Sequence, residues 1–220
     1  MRRFINVLLI TLSTLLVLFA LGESIGRIGD LKLAKDNPEI FDKDSFHIHY
    51  AKNALIMYIH VIAGMIFLLS GAYQLVPYFR KRNIQIHRLI GKVFLIISFI
   101  VSVSAIVLAI FYPYSDKIES FTNLIFGIYI LYATVKAFTT IRKKRVLDHA
   151  NWVRRVFFVS LSIATIRLIM IAMMVISNNT VQEVMGTSFF IGFLLHTIIV
   201  EAWIAQNMKT NTNNSVFKQL

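Results

Sequence analysis

The chain has no cysteine, only three prolines and nine glycines in 220 residues, and just 11 acidic side chains. Without cysteine there is no disulfide framework, no thiolate metal centre and no thiol nucleophile. So little proline and glycine excludes collagen-like repeats and flexible low-complexity chains. Charged residues reach 15% of the chain, against about a quarter in an ordinary globular domain, too few to cover a water-soluble surface. Apolar residues take their place, at 57% with a mean hydropathy of +0.68. The net charge of +12 does not describe a nucleic-acid-binding face, because the basic residues sit in short clusters between long apolar runs. That pattern belongs to a multi-span membrane protein, with the lipid bilayer as its partner and no nucleic acid.

Runs of about 20 apolar residues fall at 4–21, 54–79, 89–112, 121–141, 156–176 and 187–206. They are too long for barrel strands and lack the alternation of a membrane barrel. The fold expected is all-α, with six transmembrane helices. With the N-terminus placed inside, the inner connections carry Arg2, Arg3, Arg80, Lys81, Arg82, Arg88, Lys92, Arg142, Lys143, Lys144, Arg145, Arg154, Arg155, Lys209 and Lys218 against the single acid Asp148. The outer side carries six basic residues and nine acids. The positive-inside rule then puts both termini in the cytoplasm and an anionic inner leaflet beside the basic clusters, as expected of a multi-pass protein of an inner (cytoplasmic) membrane.

Residues 1–22 read as a first span, or as a signal peptide ending in the small residues around Ala20 and Gly22. Residues 23–53 read as an extracytoplasmic loop with a turn at Asn37 and Pro38. His47 and His49 within it lack a third metal ligand and read as interfacial side chains. The polar stretch 207–220 reads as a loose tail.

The membrane core, 54–206, shows an internal repeat. Arg80, Lys81 and Arg82 lead, seven residues on from Arg80, to His87; Arg142, Lys143, Lys144 and Arg145 lead, seven residues on from Arg142, to His149. Each histidine opens the next helix. Hairpins 54–112 and 121–176 thus read as copies related by a pseudo-twofold axis along the membrane normal. They form a four-helix core, with 187–206 added as a last span. That axis sets His87 and His149 facing each other near the inner mouth.

His60 with Gly64, Gly71 and Gln74, then Arg80, His87, Arg88 and Gly91, then His149, Trp152, Arg155, Arg167 and Leu168 form a pattern that resembles the bacterial membrane proteins grouped as domain of unknown function 2306. The resemblance runs from about Tyr58 to Leu168 and implies the same topology without supplying a reaction. Ala150 stands where that family usually has arginine, and the fourth span lacks the family's tryptophan. More loosely, helix-end histidines in a four-helix core are similar to membrane-bound diheme b-type cytochromes, an architectural analogy only.

An ionisable side chain within a span costs about 2.5–3.5 kcal/mol or more and so needs a reason. Lys136 stands close enough to the inner end to snorkel. Arg167 is mid-span, five helical turns beyond His149. His196 and Glu201 on the last span are expected near its depth, which suggests an Arg167–Glu201 pair within a polar network that includes Gln74. Three functions follow. A non-redox accessory module would hold anionic lipid headgroups with Arg80, Lys81, Arg82, Arg142, Lys143, Lys144 and Arg145. A b-type electron-transfer protein would ligate heme through His87 and His149, with His60 and His196 as further candidates. Arg167, Arg88 and Arg155 would then face propionates, and a membrane redox partner would be required. A small proton-coupled carrier would use Arg167, His196 and Glu201. No catalytic constellation is present, and enzymatic activity is not expected.

Overall fold

The computed structural model describes the backbone of residues 2–216 and the side chains of residues 11–208. The side chains of Arg2, Arg3, Lys209 and Lys218, which enter the charge count, lie outside the described residues. Helix α1 (Arg2–Asp36) is followed by a 3-10 turn (Pro38–Ile40) and the short α2 (Phe46–Ala51). Then come α3 (Ala54–Leu75), the short α4 (Pro77–Arg82), α5 (Ile84–Phe111), α6 (Lys117–Arg142), α7 (Val146–Ser160), α8 (Ser162–Ser177) and α9 (Val181–Val216). No strand occurs among the described residues. Six helical segments are long and apolar enough to cross a membrane: Thr11–Asp36, Ala54–Leu75, Ile84–Phe111, Lys117–Arg142, Val146–Ser177 and Val181–Met208.

Local signals set the ends. Asn83 caps α5 by accepting from Gln85 N and Ile86 N, at 3.0 and 3.1 Å, and Asp116 caps α6 through Glu119 N at 2.9 Å. Asn178 closes α8 in the left-handed region, φ 54°, as asparagine tolerates. The first helix differs from expectation. The loop expected from Glu23 begins only at Asn37, because no proline interrupts the chain before Pro38 and the helix has a face to bury. Leu31 and Ala34 are 1% and 2% exposed, with Leu31 packed beside Tyr50 and Met57. The backbone of α9 likewise continues to Val216, through the stretch expected to be loose.

Packing follows the chain: α3 on α5, α5 on α6, α6 on α7, and α8 on α9, with α1 leaning on α3. The middle of the fifth span is buried. Val156, Val159 and Ala164 are fully buried, as are Ala133 and Ala137 of α6. Small side chains let these two backbones approach. Phe67 of α3 stacks on Phe94 of α5 (5.1 Å) and Phe157 of α7 (6.0 Å). Gly71 provides the space: a Cβ there would overlap the Phe157 ring and come within 2.8 Å of Phe94. Outward, Phe121, Ile125, Ile128, Tyr132, Val135 and Phe138 of α6 are exposed. So continuous an apolar face would be insoluble in water and is at home in hydrocarbon.

Candidate functional site

The returns between α3 and α5 and between α6 and α7 each bring a histidine to the same end of the bundle. His87 is the fourth residue of α5 and His149 the fourth of α7; each donates its backbone N–H to the capping residue's carbonyl, Asn83 O at 3.1 Å and Arg145 O at 2.9 Å. Gln74 of α3 donates to the His87 carbonyl at 3.0 Å, tying the end of one helix to the start of the next. The His149 Nδ1 stands 2.8 Å from the Ala137 carbonyl. A carbonyl accepts only, so Nδ1 carries the hydrogen and Nε2 keeps a free lone pair. The His87 Nδ1 is buried with no hydrogen-bond partner.

Arg80 and Arg88 act on His87 as cations, the His149 imidazole lies close enough to be felt, and Arg80 also repels Arg154. The full charges among them are all positive. The one acid of these hairpins, Asp148, is taken by Arg145 at 2.6 Å. Lys81, Arg142, Lys143 and Lys144 are exposed around this end. Arg82 donates to the Tyr78 hydroxyl at 2.9 Å and borders a shallow cleft of about 370 Å³ with Tyr73, Phe79, Asn83 and Ile86.

The expected Arg167–Glu201 pair is not formed. Glu201 instead takes a two-pronged contact from Arg155, Nε to Oε1 at 2.5 Å and Nη2 to Oε2 at 2.7 Å. Arg155 stacks on Trp152 at 4.5 Å, and Arg154 on Trp203 at 5.1 Å. The cause is register. The turn between α8 and α9 is so tight that residue 167 lies level with about residue 191, as the close approach of Gly192 to Ile166 shows. Glu201 is therefore carried two to three turns deeper, to Arg155. Arg167 pairs across the bundle with Glu23 of α1, at 2.9 Å.

The other two histidines are engaged elsewhere. His60 Nδ1 meets Ser104 Oγ at 2.9 Å, on α5. His196 uses both nitrogens, Nδ1 on the Phe158 carbonyl at 2.7 Å and Nε2 with Thr165 Oγ1 at 2.8 Å. The structure thus brings His87 and His149 to one end, leaves His60 and His196 in separate contacts, and does not bring Arg167, His196 and Glu201 together. Among the described residues no three histidine, aspartate or glutamate side chains gather as metal ligands.

At the opposite end, Arg27 of α1 lies over the Phe46 ring at 4.1 Å. His47 stands 3.8 Å from Asp30, too far for a hydrogen bond. Burial and the positive Arg27 hold its imidazole below the ordinary value of 6.5, with Asp30 opposing. Burial also raises the Tyr50 and Tyr114 hydroxyls above their usual range. Glu119, 3% exposed, accepts from the backbone of Tyr114 (3.1 Å) and Ser115 (2.6 Å). Glu23, Arg27 and Asp30 were hidden by the expected loop; their spacing of four and three on an unbroken helix was the available signal.

The family of predicted membrane proteins designated DUF2306 matches residues 57–204, from the start of α3 to beyond Glu201. The chain belongs to this family. The match reaches past Leu168 and takes in His196, Glu201 and Trp203, so the last span belongs to the family unit. No curated protein and no solved structure matches the chain.

Proposed function

We propose that this DUF2306 protein is a lipid-interacting module whose basic end holds the phosphate of an anionic headgroup. The observation that carries the reading is the cationic surround of His87: Arg80 and Arg88 act on it, Arg80 also repels Arg154, and the buried His87 Nδ1 has no partner. Like charges held together, Arg154 half-buried and Arg80 and Arg88 exposed, attract a counter-ion. A phosphate offers oxygens to several guanidiniums and to one imidazole N–H at once. The exposed clusters Arg80, Lys81, Arg82 and Arg142, Lys143, Lys144, Arg145 widen the attraction, each residue contributing about 1 kcal/mol near an anionic surface. By the positive-inside rule this end faces the cytoplasm of a bacterial inner membrane.

The test is a lipid titration of the purified protein. Phosphatidylglycerol is expected to raise the thermal midpoint above that in phosphatidylcholine, and R88Q and R154Q each to weaken the effect about fivefold in concentration. Equal midpoints in the two lipids would reject it.

A second reading rests on the free Nε2 of His149 and the unpartnered Nδ1 of His87, which suit a pair of axial ligands to a b-type heme. When bound, such a group would supply one-electron chemistry. Two turns in from the histidines, Phe94 and Phe157 are buried together against Phe67 and Gly71 of α3, so the interior there is filled and does not fit a macrocycle, and His60 and His196 add no second site. A reduced-minus-oxidised absorbance spectrum of protein expressed with added heme is expected to be flat; a sharp alpha band lost in H87A and H149A would reinstate the heme.

A further inference from the structure

The polar cluster between α1 and α8 has no part in the headgroup reading. Glu23 and Arg27 stand one turn apart on α1, and Arg167 of α8 reaches Glu23 at 2.9 Å. Arg167 contacts that carboxylate directly, whereas Arg27 is repelled by Arg167 and drawn to Asp30 and Glu23 from a distance. Phe46 covers the flat face of the Arg27 guanidinium but cannot satisfy its edge, and Arg27 Nη1 is buried with no hydrogen-bond partner. A charged donor left unpaired in a low-dielectric setting is costly, and the group that relieves it is an acceptor of negative charge.

There is room for one. Helix α1 leans on α3 and touches α8 only lightly, and a Cβ on Gly22 or Gly26 would meet nothing within 4 Å. Ile25 on α1, two residues from both Glu23 and Arg27, and Leu168 on α8, next to Arg167, are 62% and 48% exposed. The setting is thus a pair of cations with apolar surface around it, on segments that cross the membrane.

We infer that the α1–α8 groove binds an amphipathic acid, whose carboxylate or phosphate sits between Arg27 and Arg167 in exchange for Glu23 and whose apolar tail lies along the exposed faces of the two helices. Glu23 is the internal occupant that the ligand displaces. Asp30, on the far side of Arg27, keeps the cluster near neutrality when the site is empty.

The experiment uses the full chain in phosphatidylcholine nanodiscs, titrated calorimetrically with dodecanoate, dodecyl phosphate, dodecanol, acetate and inorganic phosphate. The two alkyl acids are expected to bind saturably and dodecanol not to. R27Q should weaken binding about tenfold or more, the loss of one charge-assisted hydrogen bond. E23Q removes the competitor and should tighten it, a gain that misfolding cannot produce. K35Q, at an exposed cation further along α1, should leave it unchanged, and the R27Q and E23Q effects should persist in an R88Q and R154Q background, which separates this site from the headgroup site. No saturable binding, or equal binding by wild type, R27Q and E23Q, would overturn the inference. Equal binding of acetate and inorganic phosphate would overturn its amphipathic part, leaving a soluble acid as the ligand.

Discussion

Glu201 shows what a single charged residue demands inside a bundle. Its carboxylate is held by both prongs of Arg155, and the guanidinium rests on Trp152. Such geometry suits arginine alone. The pair is partly exposed, at 17% and 43%, so its contribution is discounted from the 3–5 kcal/mol lost on breaking a fully buried pair. E201Q is expected to cost about 1–2 kcal/mol and R155K nearly as much, read from thermal midpoints; a midpoint unchanged in both would show the pair to be incidental. That Arg167 and Glu201 needed partners was legible in the sequence. Which partners was not, because depth on two antiparallel helices depends on the turn joining them. His47 offers a pH test at the same scale. The folded protein keeps its imidazole below 6.5, so the unfolded chain takes the proton more readily. Stability should be unaffected above about pH 6.5 and fall as the pH drops below it. H47Q should flatten that acid-side loss in a series of midpoints from pH 7.5 to 5; an identical slope in the variant would remove His47 as its source.

Among the elements, α3 carries the clearest contrast. His60, Gly64, Phe67, Gly71 and Gln74 read as one stripe in the sequence, yet their surroundings differ. A Cβ at Gly64 would meet nothing within 4 Å, whereas one at Gly71 would overlap the Phe157 ring. G71A is therefore expected to destabilise by about 1–3 kcal/mol through overpacking, and G64A to be neutral or slightly stabilising through helix propensity. The two midpoints, measured side by side, should separate; if they coincide, the aromatic stack is not built around Gly71. Helix α1 illustrates the limit of reading an element from composition. Charges from Glu23 onward suggest a loop, but helix continuation is decided by the absence of a breaker and by what the Leu31 face can bury. The hairpin returns were legible in part: a basic cluster precedes each helix start, and Asn83 caps α5 through its side chain while Arg145 makes no such cap for α7.

Over the whole molecule, hydropathy and length were enough for six helical spans, because a bilayer leaves the backbone few alternatives to the helix. The grouping of cations could not be read that way. Arg80 and Arg88 come from one hairpin return and Arg154 from another, and only the packing of the helices sets Arg80 and Arg88 near the His87 imidazole and Arg154 near Arg80. The account of function depends on that convergence. It is tested by native mass spectrometry of the protein released from membranes that contain equal amounts of phosphatidylglycerol and phosphatidylcholine, counting the lipids that remain bound. The expected result is selective retention of phosphatidylglycerol by the wild type and its loss in a protein carrying R80Q, R88Q and R154Q together. Retention of both lipids alike, or selectivity that survives the triple substitution, would contradict it.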